Sequence, residues 1–226
     1  MTLAAGEGMR GLRDVATWLH LSSKRVSELY ANKLHITGIR PDTLAMLSRI
    51  PPAAWGTDGL MRTRILSTLV EEFPVSIGTA GLSAATAFVD DDAFWPVLHE
   101  RLSLPEGFGR FICPTVGDLA VLETEISLTR RRFVDSSGLA SLGVRLASGV
   151  SALSVQDGAF AAWTLAWSHG VDLPSRVASG ERLASATGSG ERTALLIQVT
   201  GAPPAALVCE TSAELVEVFT WLKHEQ

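Results

Sequence analysis

The chain has 226 residues, 46% hydrophobic and 19% charged, enough to bury a core in one large domain or two small ones and too apolar for a disordered chain. A formal net charge of -5 argues against generic nucleic-acid binding, and two distant cysteines, Cys113 and Cys209, exclude a disulfide scaffold and suit a reducing cytoplasm. Neither a basic segment leading into an apolar one nor an uninterrupted apolar run of roughly 18 residues occurs, so the expectation is a soluble cytoplasmic protein without a membrane span.

Leu12, Val15 and Leu19 repeat at helical spacing, and Ser22 or Ser23 caps a second helix carrying Val26 and Leu29. Pro41 opens a third through Leu44, Leu47 and Ile50. After Pro51-Pro52, Asp58 caps a helix striped by Leu66, Leu69, Val70 and Phe73, which Pro74 ends because the residue before a proline avoids the α region. A Gly/Ala-rich stretch follows from Ile77 to Ala87. Asp90, Asp91 and Asp92 suit the positive end of a helix containing Trp95, Leu98 and Leu102, with Pro96 in its first turn. Thr115 with Asp118 makes a short capping box for a helix through Leu119, Leu122 and Ile126 towards Phe133, expected to be the longest.

Near residue 136 the texture changes. Ser136-Ser137-Gly138 reads as a linker, followed by short β-branched segments between glycine and serine clusters. Leu195, Ile197 and Val199 alternate in one strand, Gly201-Ala202-Pro203-Pro204 turns, and Ala206 to Cys209 returns. Thr211 and Glu214 form a capping box for a closing helix faced by Leu215, Val218, Phe219 and Leu222. Ser-Gly-Glu-Arg at 179–182 and again at 189–192 brackets a stretch read as a mobile loop. The fold class is therefore α+β: a helical domain over residues 1–135, then a smaller mixed domain over 136–226 with a hairpin and a closing helix.

The chemical motifs are incomplete. His99-Glu100 starts like a zinc-protease helix, but Ser103 stands where the second imidazole belongs. Gly188-Ser189-Gly190 lacks the lysine of a phosphate loop, and Gly81-Leu82-Ser83-Ala84-Ala85 lacks the last glycine of a nucleophile elbow. No catalytic residue, metal ligand or cofactor is assigned within the chain. Asp14 to Ser27 resembles a helix-turn-helix, with Ala16 small, Val26 packing back, and Lys24 and Arg25 facing phosphates; His20 takes the place usual for glycine. A DNA-binding regulator is the alternative this opens. Arg130, Arg131 and Arg132 fit either the negative end of a helix or the grip on a phosphate or an acidic peptide, and Trp163 and Trp167, four apart, share a helical face that packs inward or anchors a partner.

The segment from Phe108 to Glu123, with its Phe-rich approach, Pro114, and Asp118-Leu119-Ala120-Val121-Leu122-Glu123, resembles a bacterial family once labelled putative DNA-binding domains. Ala194 to Leu222, a hairpin and then a helix, is similar to the family's ending. Such proteins are partner subunits of multinuclear non-haem iron oxidative enzymes that modify cysteines in ribosomally made peptides. The resemblance implies a noncatalytic accessory subunit that binds a precursor peptide and presents its cysteine to iron held by the partner, in a system of the methanobactin or the 3-thiaglutamate type, the N-terminal half favouring the latter. It also implies a peptide-recognition role for the strand-rich half, where a leader segment adds as a strand. The candidate peptide-binding residues are Leu195, Ile197, Val199, Leu207 and Cys209; those for the partner enzyme are Arg130, Arg131, Arg132, Trp163 and Trp167.

Overall fold

The computed structural model describes residues 2–136, 149–168, 170, 172–184 and 190–224. In chain order these form α1 (Thr2–Leu21), α2 (Ser23–Tyr30), α3 (Pro41–Leu47), α4 (Gly59–Glu72), α5 (Pro74–Ala80), α6 (Leu82–Val89), α7 (Trp95–His99), α8 (Leu104–Val116) and α9 (Asp118–Ser136). There follow β1 (Val150–Gln156), α10 (Asp157–Ser168), α11 (Leu173–Ala178), β2 (Arg192–Thr200), β3 (Ala205–Glu210) and α12 (Ala213–His224). The chain is α+β, a helical N-terminal region followed by an antiparallel sheet of order β1-β2-β3. None of the described helices is long and apolar enough to cross a membrane.

Two compact units divide the chain, one of residues 1–70 with 83–111 and one of 71–82 with 112–226. The boundary expected at residue 136 therefore falls elsewhere, for a packing reason. Leu122 and Ile126 of α9 are covered by Val155, Leu195 and Ile197 of the sheet, so α9 is core of the second unit. Most of the expected linker, Ser137 onward, lies outside the described residues, as do residues 185–189 of the expected loop.

In the first unit Phe88 is fully buried, with Phe94, Phe108 and Phe111 each 5.3 Å away between ring centroids. Trp18 donates its indole N–H to the Val89 carbonyl at 2.8 Å and stacks on Trp95 at 5.8 Å. His99 stacks on Trp95 at 4.7 Å and meets the buried Asp14 carboxylate at 3.1 Å, which gives His99 a packing role, while Glu100 is exposed. Asp58 caps α4, accepting the Met61 N–H at 2.9 Å, as its position predicts. The single helix expected after Asp90 is divided. Asp91 accepts the Ala93 N–H and caps a short turn, and α7 stops at His99, two residues before Arg101 takes a left-handed φ of 62°.

Gly81 (φ 98°) separates α5 from α6, and Gly117 (φ 61°) separates α8 from α9, both backbones that a Cβ disfavours. Thr115 consequently lies inside α8 and is not the cap of α9. Among the described residues α1 spans 20 residues and α9 spans 19.

In the second unit the expected hairpin forms, with Leu195 opposite Glu210 and Thr200 opposite Ala205, and β1 pairs along the other side of β2. Leu195, Ile197 and Val199 are 0 to 2% exposed and point at α9. The closing helix begins one residue later than expected: Ser212 accepts the Leu215 N–H at 3.3 Å, while Thr211 extends the hairpin by donating to the Ala194 carbonyl at 2.8 Å. Ser212→Ala should accordingly cost about 1 kcal/mol in urea unfolding, as loss of an N-cap does, and a neutral Ser212→Ala would refute this assignment.

Candidate functional site

The hydrogen-bond phase of the sheet decides which backbone groups are free. In an antiparallel ladder, residues alternate between pairs that exchange N–H···O bonds and pairs whose groups point away. The bond from Thr211 to the Ala194 carbonyl fixes the phase of β2–β3, so Leu207 and Cys209 bond to β2 while Ala206, Val208 and Glu210 turn their N–H and C=O outward. The bond from Val199 to the Gly149 carbonyl (2.7 Å) likewise turns Val150, Ala152, Ser154 and Gln156 outward from β1.

The two outer edges differ. On β1, the Gln156 N–H donates to the Asp118 carboxylate at 2.8 Å, and the Ser154 carbonyl accepts from the Arg192 guanidinium. Arg192 itself lies 3.5 Å from Asp118, so two paired side chains close that end of the edge. On β3, the outward groups of Ala206, Val208 and Glu210 have no hydrogen-bond partner among the described residues. Leu207 is 63% exposed and Cys209 is an exposed free thiol; both lie on the sheet face opposite Val208 by strand alternation. Along β3 there is neither a lysine nor a bulge, two of the devices that blunt natural edges; its one charge, Glu210, stands opposite Leu195 at the strand's end and is exposed.

The five hairpin residues expected to bind peptide thus separate. Leu195, Ile197 and Val199 are committed to the core, and β2 is hydrogen-bonded on both sides, which corrects their assignment as a peptide-facing surface. Leu207 and Cys209 are placed on the accessible strand.

The expected partner-binding residues also separate. Arg131 pairs with Glu72 at 2.8 Å, and Arg132 pairs with Glu125 at 2.9 Å and donates to the Thr129 hydroxyl. Consecutive residues step about 100° around a helix, so the three arginines do not share one face. Arg130 turns its Nε into a buried position, where desolvation lowers its pKa while Glu72 and Glu123 raise it. Trp163 and Trp167 do share a face, with ring centroids 6.1 Å apart, but both are half-buried and Trp163 packs against the sheet core.

The helix-turn-helix expectation meets a different geometry. A single residue, Ser22, separates α1 from α2, where that motif needs a turn of three or four. Arg25 is 6% exposed, held by Glu28 at 2.8 Å and Asp92 at 2.9 Å, and lies over the Trp18 ring at 4.3 Å. Lys24 reaches the Asp90 carbonyl at 3.4 Å. Both cations therefore serve the fold of the first unit. Arg25→Ala should cost about 2 kcal/mol of stability through loss of the cation–π contact and two charged hydrogen bonds; an unchanged urea midpoint would contradict this role.

Sequence reading missed Glu123. It is 1% exposed, and its carboxylate accepts the N–H groups of Val75 at 2.9 Å and Ser76 at 2.8 Å, the first turn of α5. Burial pushes its pKa up to about 7 despite those hydrogen bonds and Arg130. The available signal was a carboxylate on an apolar stripe, since Leu119, Leu122, Glu123 and Ile126 share one helical face. In Asp118-Leu119-Ala120-Val121-Leu122-Glu123 the two acids thus have structural tasks: Asp118 fastens β1 and Glu123 fastens α5. Among the described residues, no group of three or more His, Cys, Asp or Glu side chains is arranged to hold a metal ion.

Comparison with protein-family models, with curated proteins and with solved structures finds no match to this chain.

Proposed function

We propose that the chain is a noncatalytic accessory subunit that binds a ribosomally made precursor peptide and presents its cysteine to a partner multinuclear non-haem iron oxidative enzyme, in a system of the 3-thiaglutamate type. The observation that carries this reading is the outer edge of β3, whose N–H and C=O groups at Ala206, Val208 and Glu210 lack partners among the described residues while the β1 edge is partly closed. Strand addition uses such an edge: the added backbone supplies affinity, and side-chain contacts, here at Leu207 and Cys209, supply selectivity. The residues from Phe108 to Glu123 and from Ala194 to Leu222 support the same reading through their resemblance to partner subunits of this kind. Iron would belong to the partner enzyme, with no cofactor assigned to this chain.

The tagged full chain, isolated from its native cells, tests the assembly. A stoichiometric iron-containing protein should co-purify, and the complex should modify a cysteine of a ribosomally made peptide that neither protein modifies alone. Recovery of the chain alone and free of iron, or peptide modification by the enzyme with equal efficiency in its absence, would overturn the proposal.

A further inference from the structure

Three parts of the first unit form a cavity of about 340 Å³. Arg10 and Leu12 come from α1, Ile39, Arg40 and Thr43 from the start of α3 and the residues before it, and His99 from the end of α7. No acidic side chain among the described residues lines it. Gly11 keeps the space open, since a Cβ there would stand 2.8 Å from the Ile39 side chain and 3.8 Å from the His99 ring. His99 is fixed on two sides: its ring stacks on Trp95 at 4.7 Å, and its Nδ1 donates to the Asp14 carboxylate at 3.1 Å. Its Nε2 has no hydrogen-bond partner among the described residues, on a side chain 28% exposed. Arg10 is exposed and has no ion-pair or hydrogen-bond partner among the described residues. Arg40 gives one Nη2 to Asp42 at 3.1 Å, which leaves most of its five N–H donors.

We propose that this cavity binds the phosphate group of a small phosphomonoester. Two guanidiniums line it, and Asp42, which offsets one of them, is 85% exposed, where an ion pair holds weakly. A phosphomonoester carries about −1.5 to −2 charges at pH 7 and three acceptor oxygens, a match for two arginine forks and the Thr43 hydroxyl. A carboxylate, with one charge, leaves one guanidinium unmatched. Because Nδ1 of His99 is held by Asp14, Nε2 is the atom turned to the ligand; it accepts from a protonated phosphate oxygen when the ring is neutral and donates when it is charged. Ligand cavities begin at roughly 300 Å³, more than a bare phosphate fills, and Leu12 and Ile39 give the remaining space apolar walls for the ester substituent. The acidic excess of the chain lies in the second unit, which has eight lysines and arginines against fourteen acids, whereas the first has eleven against ten. This site is independent of the β3 edge, which belongs to the second unit.

Calorimetric titration of the full chain with phenyl phosphate, inorganic phosphate and benzoate tests the proposal. Phenyl phosphate should bind saturably and at least about tenfold more tightly than benzoate, the contribution of one charged hydrogen bond. Inorganic phosphate, which lacks the contact with Leu12 and Ile39, should bind several-fold more weakly than the ester. Arg10→Gln should weaken phenyl phosphate at least about tenfold with an unchanged urea midpoint, because that side chain is exposed and holds no other group of the fold. Arg64→Gln, which removes an exposed arginine of the same unit outside the cavity, should leave the affinity as it was. Absence of saturable binding by phenyl phosphate, benzoate or inorganic phosphate binding as tightly as the ester, affinity unchanged by Arg10→Gln, or an equal loss in Arg64→Gln would each overturn the proposal.

Discussion

Glu123→Ala should cost about 3 to 5 kcal/mol at pH 5, because it strands two buried N–H groups and opens a space beside them. The affected donors are those of Val75 and Ser76, and α5 has only seven residues with which to compensate. The same residue gives a pH dependence of defined sign. Its carboxyl is raised from 4.5 to about 7 in the folded chain, so the folded state holds a proton that the unfolded state has released between those values. The stability contributed by the neutral form is complete below pH 4.5 and is lost as pH rises through 7, a change of about 3 kcal/mol. Glu123→Gln keeps an acceptor for α5 and removes the titration. Urea unfolding of wild type and Glu123→Gln at intervals from pH 4.5 to 8 should show the difference moving in the variant's favour by about that amount. A constant difference would show that Glu123 ionises in the folded chain as it does in the unfolded one.

Ala206→Pro should weaken binding of the precursor peptide at least about tenfold, the scale of one strand hydrogen bond together with the steric block of a pyrrolidine ring. The site is chosen by the ladder phase. The Ala206 N–H points away from β2, so proline deletes a group that the sheet itself does not use. Leu207→Asp is the companion variant: the side chain is 63% exposed, and the change should weaken the peptide while leaving the urea midpoint nearly unchanged. Leu207→Pro has the opposite character, since its N–H belongs to the β2–β3 ladder, and should destabilise the hairpin. Peptide affinity equal to wild type in both Ala206→Pro and Leu207→Asp would remove β3 from the binding surface.

Much of this architecture follows from short-range patterns. Asp58, Pro41 and Pro74 act where capping and proline stereochemistry place them, and the alternation of Leu195, Ile197 and Val199 marks the core face of β2. The misplaced features are those set by distant partners. Thr211 reads as a helix cap, but its N–H is taken by Ala194 across the hairpin, and Ser212 caps instead. Nothing local to Leu122 and Ile126 indicates that β1 and β2 will cover them, so a domain boundary after α9 is the natural reading although α9 belongs to the sheet. Arg25 looks like a free cation in a helix-turn-helix until Asp92 and the Trp18 ring are brought against it, and Lys24 until it reaches the Asp90 carbonyl. The candidate edge was legible as a hairpin but not as an edge. Which side of the sheet stays open depends on Asp118 and Arg192 reaching β1, contacts spanning 38 residues of sequence.

Amide hydrogen exchange along β3, read residue by residue with and without the precursor peptide, distinguishes strand addition at this edge from binding elsewhere. In the free chain Leu207 and Cys209 should exchange slowly and Ala206, Val208 and Glu210 quickly; added peptide should slow the latter three and leave the first two as they were. Saturating peptide that leaves Ala206, Val208 and Glu210 exchanging at their free rates would contradict strand addition at this edge.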